Sequence, residues 1–542
     1  MPASPIRNRA ADLLARRLAE AGCRFAFGIP GGEILTLIDA LAAAGITFVT
    51  TKHETAAGFM AEAVWQRTGT PPVLVATVGP GISNAVNVVA NARLDRVPLI
   101  VLVGAVDADE QLAYNHQIID HKKLLEPAIK GAFTLTATAA DLVTERALAL
   151  AGDPRPGPVL IEVPISVADA PAAATTPIRR APTAPVAPAA GPVLDEARTW
   201  LAEARRPLVI AGFDAVQHDA GAALARFALT QRAPVIQTYK AKGLLPEDHD
   251  FALAAAALSP VADRQLQAVI EEADLVVLAG YDAVEMRRDW QHPWDTTQKR
   301  VIAFDAVAND HYLHQAGIGF VCDIGAGLDA LGQEVRSAST WTPAAVGAVR
   351  DQVLALFRSD EAWGPAAICE VARRVLPRDT VAAADVGAHR ILLSQVWPAY
   401  APRTLLHSNG LCTMGCGLPL AIGAKIAEPD RPVVVFTGDG GLLMVLGELA
   451  TAVEQGLPII VICFVDHSLA LIEVKQRERQ LTRQGVAVGA FDAVQLAAGL
   501  GGHGVVAADR KSLAAALEAA LGADCFTLIA CPIAEDAYDG RI

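Results

Sequence analysis

The sequence predicts an α/β protein built from three doubly wound parallel-sheet domains. Short apolar runs that end in Gly, Pro or Asp alternate with stretches of helical periodicity, a pattern typical of parallel sheets covered by helices. The length of 542 residues is enough for three or four domains of about 150 residues each. Residues 169–193, which are rich in Ala, Pro and Thr, read as an extended linker, and a second linker lies near 337–345. The predicted domains are therefore 1–168, 194–336 and 346–542.

Composition limits the classes of function. Apolar residues make up 52% of the chain and charged residues 19%, so large hydrophobic cores are expected. The net charge of −14 argues against nucleic acid and anionic membranes as partners, since both attract basic patches. Arginines interrupt the first residues and no apolar run is long enough to cross a bilayer. We therefore expect no signal peptide, no membrane span and a cytoplasmic location.

The eight cysteines are scattered, mostly in apolar stretches, without a C-x-x-C pair or a Cys/His cluster at zinc spacing. We expect buried, reduced thiols, as is usual in the cytoplasm. Cys412 and Cys416 are four residues apart and could form a metal pair, but core thiols are the favoured interpretation.

The first domain begins with a helical pattern over residues 8–21, in which Ala11, Leu14 and Leu18 repeat at helical spacing. A short strand then leads into a turn at 28–32 that is rich in Gly and Pro. The other elements follow in alternation, with strands predicted at 47–50, 73–78, 99–103 and 159–163 and helices from about 34, 55 and 81.

The central domain repeats the alternation of strands and helices. Its predicted strands are 208–211, 235–237, 275–279 and 301–304. No G-x-G-x-x-G motif follows a predicted strand, so a nicotinamide-dependent dehydrogenase is not supported.

Residues 433–468 of the last domain are the most informative stretch. One apolar run ends in the motif GDGG at 438–441, and after a helical stretch a second apolar run ends at Asp466. The two strands of such a β–α–β unit run parallel, so Asp439 and Asp466 fall at the same edge of the sheet. Ligands of open parallel sheets bind at that edge.

Two carboxylates at one sheet edge suit a hard divalent cation such as Mg²⁺, which takes oxygen ligands and shares them with phosphate. Gly438, Gly440 and Gly441 let the backbone approach a phosphate, and the start of the next helix supplies free N–H donors. The alternative is an ordinary β-turn with a surface aspartate, because short glycine motifs often occur by chance.

Asp439 and Asp466, which are 27 positions apart, resemble the diphosphate-and-metal motif of thiamine diphosphate-dependent enzymes. The resemblance implies that Asp439, Asp466 and Ser468 hold the metal, Ser468 through its backbone oxygen. Val465 and Asp466 stand where the family usually has two asparagines, so one polar contact is lost and one oxygen ligand is kept.

The first domain is similar to the pyrimidine-binding domain of acetolactate synthases in the segments GIPGG, KHETAAGFMAEA and TVGPGISNAVNVVANA. The resemblance implies that Glu54 is the catalytic acid and that Pro30 and Gly31 lie at the cofactor. A carboxyl group there would hydrogen-bond the aminopyrimidine ring and favour the form that removes a proton from the thiazolium carbon. Taken alone, Glu54 would be read as a charge that stabilises a helix dipole.

Further segments extend the resemblance. A pattern HQ-x-x-D…P-x-x-K places Gln117 at the cofactor and matches Lys130, whereas His116 is equally well a site residue or a loop residue. In the last domain, Gly387 follows a strand and the pattern SNG…TMG…LP is kept. The resemblance implies that Met414 props the cofactor into its bent shape, which orients its reacting atoms. Taken alone, Met414 would be interpreted as an ordinary residue of the hydrophobic core.

The central segment GYDAVE at 280–285 resembles that of catabolic acetolactate synthases. Biosynthetic relatives hold FAD in this domain and carry more glycines after the strand at 208–211. This chain has Phe213, Asp214 and Ala215 there, so we expect no FAD.

Residues 469–476 depart from the family in the helix that shapes the substrate pocket, which leaves the second substrate open. Lys475, Arg477 and Arg479 could bind a substrate carboxylate, but a solvated helix face is the favoured interpretation.

The resemblance covers residues 8–535 and implies a Mg²⁺- and thiamine diphosphate-dependent decarboxylating carboligase similar to catabolic, FAD-independent acetolactate synthase. Such an enzyme condenses pyruvate with a second 2-oxo acid to a 2-hydroxy-3-oxo acid and CO₂. The alternatives are a 2-oxo acid decarboxylase, a carboligase with an unusual acceptor, and a cofactor-binding regulator without turnover. Glu54 and Asp439 lie in different domains, which in the family meet across a subunit interface, so a homodimer or homotetramer is expected.

Overall fold

The computed structural model describes residues 8–113, 115–173, 181, 183–256, 259–286, 290, 292–309, 312–357 and 361–542. These residues form three six-stranded sheets, and the paired strands within each sheet run parallel. The prediction of three doubly wound α/β domains is confirmed.

The first sheet is covered on both faces. Val73 and Val75 pack into one hydrophobic core, and Leu74 and Ala76, which alternate with them, pack into another. The strands are β1 Phe25–Gly28, β2 Thr47–Thr50, β3 Val73–Ala76, β4 Ile100–Ala105, β5 Gly131–Thr134 and β6 Val159–Pro164. The helices are α1 Ala10–Glu20, α2 Leu35–Ala43, α3 Glu54–Thr68, α4 Pro80–Leu94, α5 His121–Leu125, α6 Ala140–Ala151 and α7 Ile165–Asp169. The strand order is β2-β1-β3-β4-β6-β5.

The central sheet is wound outward from its first strand. Its strands are β7 Pro207–Ala211, β8 Val235–Thr238, β9 Ala252–Ala256, β10 Leu275–Ala279, β11 Arg300–Asp305 and β12 Ile318–Val321. The helices are α8 Pro192–Glu203, α9 Phe213–Gln217, α10 Gly221–Gln231, α11 Pro260–Glu272, α12 Ile324–Gly332 and α13 Pro343–Ala355. The order β12-β11-β10-β7-β8-β9 places the topological switch between β7 and β10.

The last sheet repeats the topology of the first. Its strands are β13 Val381–Ala384, β14 Leu405–Leu406, β15 Val433–Gly438, β16 Ile460–Val465, β17 His503–Val506 and β18 Thr527–Pro532. The helices are α14 Pro365–Val375, α15 Ala388–Val396, α16 Gly417–Ala427, α17 Asp439–Met444, α18 Glu448–Glu454, α19 Ala470–Glu478, α20 Ala493–Gly499 and α21 Arg510–Leu521. The order is β14-β13-β15-β16-β18-β17.

Two of the predicted domain limits can be compared with the helices of the structure. The linker expected at 169–193 is bounded by α7 and α8, and its described residues 183–190 contain neither helix nor strand. The sequence places the start of the last domain at 346, but Val346 and Val353 of α13 are buried in the core of the central domain. The next helix, α14, packs into the core of the last domain.

The first and last domains share one hydrophobic core, to which Leu74 and Val435 both belong. The helices α3 and α16 approach so closely that a Cβ on Gly423 would lie 2.2 Å from the carbonyl oxygen of Met60. Because α3 begins at Glu54, this packing anchors the helix of the predicted catalytic acid to the last domain.

Lys240 of the central domain ties the other two domains together. Its Nζ lies 2.7 Å from Asp95 Oδ2 and donates to the carbonyl oxygen of His407 at 2.6 Å. Asp95 Oδ1 also accepts a hydrogen bond from the backbone N–H of Gly410 at 2.7 Å. These buried contacts position the loop that runs from β14 to Met414.

Among the described residues, no helix is long and apolar enough to cross a membrane. All eight cysteines are free, and six of them are buried. Cys416 is a core thiol as expected, whereas Cys412 is partly exposed and its Sγ donates to the carbonyl oxygen of Asn409 at 3.0 Å.

Candidate active site

The two predicted carboxylates lie at the carboxyl ends of neighbouring strands. Asp439 follows β15 and begins α17, and Asp466 follows β16. Asp439 Oδ1 accepts a hydrogen bond from the backbone N–H of Gly440 at 2.7 Å, and Oδ2 accepts one from that of His467 at 2.8 Å. Asp466 Oδ1 accepts one from the backbone N–H of Ser468 at 3.1 Å. These backbone donors hold both carboxylates at one sheet edge.

The electrostatics of this pair fit a divalent cation. Asp439 is 1% exposed and Asp466 is 7% exposed. Burial raises the pKa of Asp439, and burial together with the charge of Asp439 raises the pKa of Asp466 to about 7. A cation held by both carboxylates would offset this repulsion. Oxygen donors are the ligands that Mg²⁺ prefers, so the residues present fit that ion.

A cavity of about 260 Å³ opens beside the carboxylates. Its wall includes all eight residues predicted for this half of the site, namely Gly387, Met414, Gly438, Asp439, Gly440, Gly441, Asp466 and Ser468. A Cβ on Gly441 would lie 2.1 Å from Asp385 Oδ2, and a Cβ on Gly440 would lie 2.8 Å from Leu469 Cδ2. Glycine is therefore required at 441, whereas a side chain at 440 would meet the flexible end of Leu469.

Asp385 is an organising residue that the sequence analysis did not identify. It follows β13, is 1% exposed, and accepts hydrogen bonds from the backbone N–H of Gly415 at 2.8 Å and from Thr437 Oγ1 at 3.1 Å. These bonds join β13, β15 and the loop that carries Met414. The sequence feature that could have identified Asp385 is an acidic residue directly after a third buried strand of the same sheet.

His389 also lies in the cavity wall and was not identified from the sequence. It is 5% exposed, and its Nε2 has no hydrogen-bond partner among the residues that the structure describes. Burial and then the charge of Arg390 lower the pKa of His389 to about 3, so the imidazole is neutral. A buried ring nitrogen without a partner is expected where a ligand supplies one.

In the first domain, the turn 77–81 after β3 gathers the predicted residues. A Cβ on Gly31 would lie 2.5 Å from Thr77 Oγ1. A Cβ on Gly79 would lie 2.4 Å from the carbonyl oxygen of Gln117. Both glycines are needed because the neighbouring segments approach the turn too closely for a side chain.

Glu54 begins α3 and is only 4% exposed. Its Oε2 accepts a hydrogen bond from Asn84 Nδ2 at 3.0 Å. Pro30, His116 and Gln117 are exposed, and Gln117 adopts a positive φ of 61°. The first domain thus presents a buried carboxylate beside an exposed loop.

The predicted residues form two separate groups within one chain. As far as the described residues show, none of Pro30, Gly31, Glu54 and Gln117 lines the cavity beside Asp439. A single chain therefore carries two candidate half-sites on different domains.

The other basic residues considered from the sequence are not in the cavity wall. Lys475 and Arg479 are exposed, and Arg477 is held in an ion pair 3.0 Å long. These contacts favour a solvated helix face for that part of α19. Lys130 Nζ donates to the carbonyl oxygen of Arg155 at 2.8 Å, which is a structural contact.

Three stretches of the chain match the parts of one protein family. Residues 8–124 match the N-terminal TPP binding domain of thiamine pyrophosphate enzymes, 194–331 match the central domain, and 385–531 match the C-terminal TPP binding domain. Each matched segment lies within one of the three domains described above, and β5, β6 and β13 fall outside the matches.

Curated relatives are similar over nearly the whole chain. The catabolic acetolactate synthase of Raoultella terrigena is 30% identical over 533 residues, covering 96% of this chain and 94% of its own. An acetolactate synthase of Bacillus subtilis is 29% identical, covering 98% and 94%. A Pseudomonas aeruginosa protein named as a probable 2-ketoarginine decarboxylase is 32% identical, covering 87% and 85%.

One solved structure has the same fold. It is an X-ray structure of a Mycobacterium smegmatis protein described as thiamin diphosphate-dependent, with a TM-score of 0.82 and 22% identity. The match covers 97% of this chain and 100% of that one.

Proposed function

This chain belongs to the family of thiamine diphosphate-dependent enzymes, and on that basis we propose that it is a decarboxylating carboligase. Its reaction would join pyruvate to a second 2-oxo acid, with loss of CO₂, to give a 2-hydroxy-3-oxo acid. The observation that carries the proposal is a single cavity whose wall combines Asp439 and Asp466 with a glycine-rich backbone. Similarity over the full length to proteins named acetolactate synthase supports the choice of reaction.

In this proposal the last domain holds the diphosphate end of the cofactor. Asp439, Asp466 and Ser468 would hold Mg²⁺, and the neutral His389 would donate a hydrogen bond to a phosphate oxygen. Met414 would support the bent form of the cofactor. The backbone that faces the phosphates belongs to Gly387, Gly438, Gly440 and Gly441. When bound, thiamine diphosphate supplies the electron sink that decarboxylation needs.

Glu54 would hold a proton and share it with the aminopyrimidine ring. Its position supports this role, because the carboxyl group is buried and Asn84 is its hydrogen-bond partner within the described residues. Oε1 is therefore available to a ligand. Gln117, on the exposed loop of the same half-site, would contact the cofactor or substrate.

A second copy of the chain would complete the site. Large apolar side chains are exposed near both half-sites, with Leu112 at 93% and Met444 at 63%. Near the first half-site these are Leu35, Leu112, Ile119 and Leu124, and near the second they are Leu411, Leu443 and Met444. Exposed apolar side chains concentrated around a site are typical of a subunit interface. We therefore propose a homodimer or homotetramer in which the first half-site of one subunit faces the second half-site of another.

We propose an enzyme without FAD. The switch point of the central sheet lies between β7 and β10, where dinucleotides bind in such folds. Asp214 follows β7, and Asp282 and Glu285 follow β10. The side chains of Phe213, Asp214 and Ala215 stand where further glycines would let the backbone approach a pyrophosphate. Flavin absorbance that remains with the purified protein after gel filtration would contradict this part of the proposal.

A simple 2-oxo acid decarboxylase is the second candidate, because the Pseudomonas aeruginosa relative bears such a name. The cavity wall includes Leu469, Leu471 and Ile472, and Arg477 is occupied by an ion pair. An apolar wall suits a small apolar 2-oxo acid better than a charged guanidinium side chain, whose burial is costly.

Product analysis tests the proposal. Purified protein would be supplied with Mg²⁺, thiamine diphosphate and pyruvate, without FAD, and both CO₂ and the organic product would be measured. Acetolactate supports the carboligase and acetaldehyde supports the decarboxylase. Binding of thiamine diphosphate without turnover of pyruvate would exclude pyruvate as the donor.

The native mass, measured in the same preparation, tests the oligomer, since a fully active monomer would contradict the shared site.

A further inference from the structure

The segment of residues 533–542, which follows β18, returns to the cavity of the last domain. Tyr538 in this segment is 2% exposed and belongs to the cavity wall. It packs against Ala388, the first residue of α15, and Ala470, the first residue of α19. Tyr538 therefore bridges the two helices whose first turns flank Asp439 and Asp466.

The Tyr538 side chain brings a hydrogen-bonding group to the cavity wall. A buried tyrosine usually finds a partner for its hydroxyl, and a ligand in the cavity would supply one. Burial and the charge of Asp466 raise the pKa of Tyr538, so the phenol stays protonated and can donate. A neutral O–H donor suits a phosphate oxygen.

Ion pairs fasten the 533–542 segment to the body of the last domain. Asp539 pairs with Arg477 of α19, and Arg541 Nη2 lies 2.8 Å from Glu361 Oε2. Side chains of the first pair are 40% and 48% exposed, and exposed ion pairs are individually weak. The segment is thus placed over the cavity by contacts that can open.

The same contacts reach the predicted metal ligands. The Ser468 hydroxyl donates to Glu473, and Glu473 Oε1 accepts a hydrogen bond from Arg477 Nη1 at 3.0 Å. Arg477 in turn holds Asp539. Because Ser468 also donates its backbone N–H to Asp466, one chain of hydrogen bonds joins the metal loop to the 533–542 segment.

We propose that the 533–542 segment closes the diphosphate side of the cofactor site. Tyr538 is a binding residue, and the ion pairs of Asp539 and Arg541 hold the segment in place. This inference rests on the cofactor site described under the proposed function. Bound thiamine diphosphate then stabilises the closed position of the segment, and the closed segment in turn stabilises the bound cofactor.

Binding and hydrogen exchange test this without relying on turnover. The dissociation constant of thiamine diphosphate at saturating Mg²⁺ would be measured by titration calorimetry for the wild type, Tyr538→Phe, Tyr538→Ala and Asp539→Ala. Loss of one hydrogen bond to a charged group predicts binding about 10- to 100-fold weaker for Tyr538→Phe. Asp539→Ala should weaken binding about 2- to 5-fold, as expected for a partly exposed ion pair.

The matched control is Asp329→Ala. Asp329 forms an ion pair of 2.8 Å with Arg226, and the two side chains are 55% and 61% exposed, but the pair belongs to the central domain. Binding by this variant should equal that of the wild type.

Hydrogen exchange measured by mass spectrometry should show protection of the 533–542 segment on addition of Mg²⁺ and thiamine diphosphate, and the protection should be lost in Asp539→Ala.

The outcomes separate the two proposals. If the wild type does not bind thiamine diphosphate, the proposed function fails and this inference fails with it. If the wild type binds but Tyr538→Phe binds equally well and the segment gains no protection, only this inference is overturned. Tyr538→Phe removes a single oxygen atom, so the test does not depend on whether Tyr538→Ala folds.

Discussion

Asp385 accepts a hydrogen bond from the backbone N–H of Gly415, with 2.8 Å between Oδ1 and N. Gly415 has a φ of 81°, so the chain turns sharply immediately after Met414. The other carboxylate oxygen accepts from Thr437, at the end of β15. One buried side chain therefore sets the position of the Met414 loop relative to the GDGG motif, although the residues concerned are far apart in the chain.

Replacement of Asp385 by alanine should weaken both the fold and the site. The buried N–H of Gly415 would lose its partner, at a cost of about 1–3 kcal/mol for an unsatisfied group, whereas the Thr437 hydroxyl keeps the carbonyl oxygen of Gly438 as an acceptor. For a domain of this size we expect the melting temperature to fall by about 5–10 °C. Differential scanning calorimetry measures this. Asp379→Ala, on the exposed surface, is the control and should leave the melting temperature unchanged. Equal melting temperatures for the two variants would contradict the role of Asp385.

Gly441→Ala should disrupt the diphosphate half of the site. The new Cβ would lie 2.1 Å from Asp385 Oδ2, an atom that its hydrogen bonds hold in place. We expect thiamine diphosphate binding about 5- to 100-fold weaker, since overpacking of this kind typically costs about 1–3 kcal/mol. Titration calorimetry provides the measurement. Gly489→Ala is a matched control, because a Cβ there meets no atom within 4 Å. Unchanged binding by Gly441→Ala would show that the backbone can move aside.

Glu54→Gln should separate binding from turnover. Glutamine keeps the shape of the side chain and can accept the hydrogen bond from Asn84, but it cannot hold and share an acidic proton. We expect thiamine diphosphate to bind within a factor of about three, while turnover falls by about 10²–10⁴. Calorimetry and CO₂ release measure the two quantities. Glu20→Gln, in a surface ion pair, should behave as wild type. Full activity in Glu54→Gln would refute the role assigned to Glu54.

Glu285→Gln should flatten the pH dependence of stability. Burial is the main cause that raises the pKa of Glu285 to about 8, whereas an unfolded glutamate titrates near 4.5. Between these values the folded state binds the proton that the unfolded state has lost, so stability falls as the pH rises. The slope for one proton is about 1.4 kcal/mol per pH unit and ends above pH 8.

The Glu285→Gln variant fits the site, because its amide can accept from the Phe213 N–H and donate to the Thr238 hydroxyl. Melting temperatures of both proteins would be measured at several pH values between about 5 and 8. The wild type should lose stability more steeply over this range. Glu203→Gln, an exposed change in the same domain, should follow the wild-type curve. Parallel curves for wild type and Glu285→Gln would show that Glu285 does not titrate in this range.

The agreement between sequence and structure is closest where chemistry depends on local order. A strand followed by GDGG and a second strand followed by Asp466 form a β–α–β unit, and a right-handed parallel connection brings both aspartates to one sheet edge. The placement of Gly387 and Met414 beside them came from the family resemblance. The limits of the predicted strands differ by only one or two residues, as in β11, which is predicted at 301–304 and spans Arg300–Asp305.

Other residues could not be placed from the sequence because their meaning depends on distant partners. His389 looks like any polar residue near a helix start, and only packing reveals a buried nitrogen without a partner. Tyr538 follows the last strand by six residues, and no motif links it to the GDGG loop. The helix α13 lies past the predicted boundary, yet Val346 packs into the central core. Local patterns do not show which sheet a helix will cover.

The sequence by itself determined the three-sheet fold, the edge at which Asp439 and Asp466 lie, and the family through its combined motifs. These features follow from short-range rules, since periodicity defines strands and helices and parallel connections define which ends meet. Only the tertiary structure decided that Asp385 connects β13, β15 and the Met414 loop, and that Tyr538 reaches the cavity. Those relationships arise from packing between segments far apart in the chain, where burial and the need to satisfy every buried polar group select one arrangement among many that local order allows.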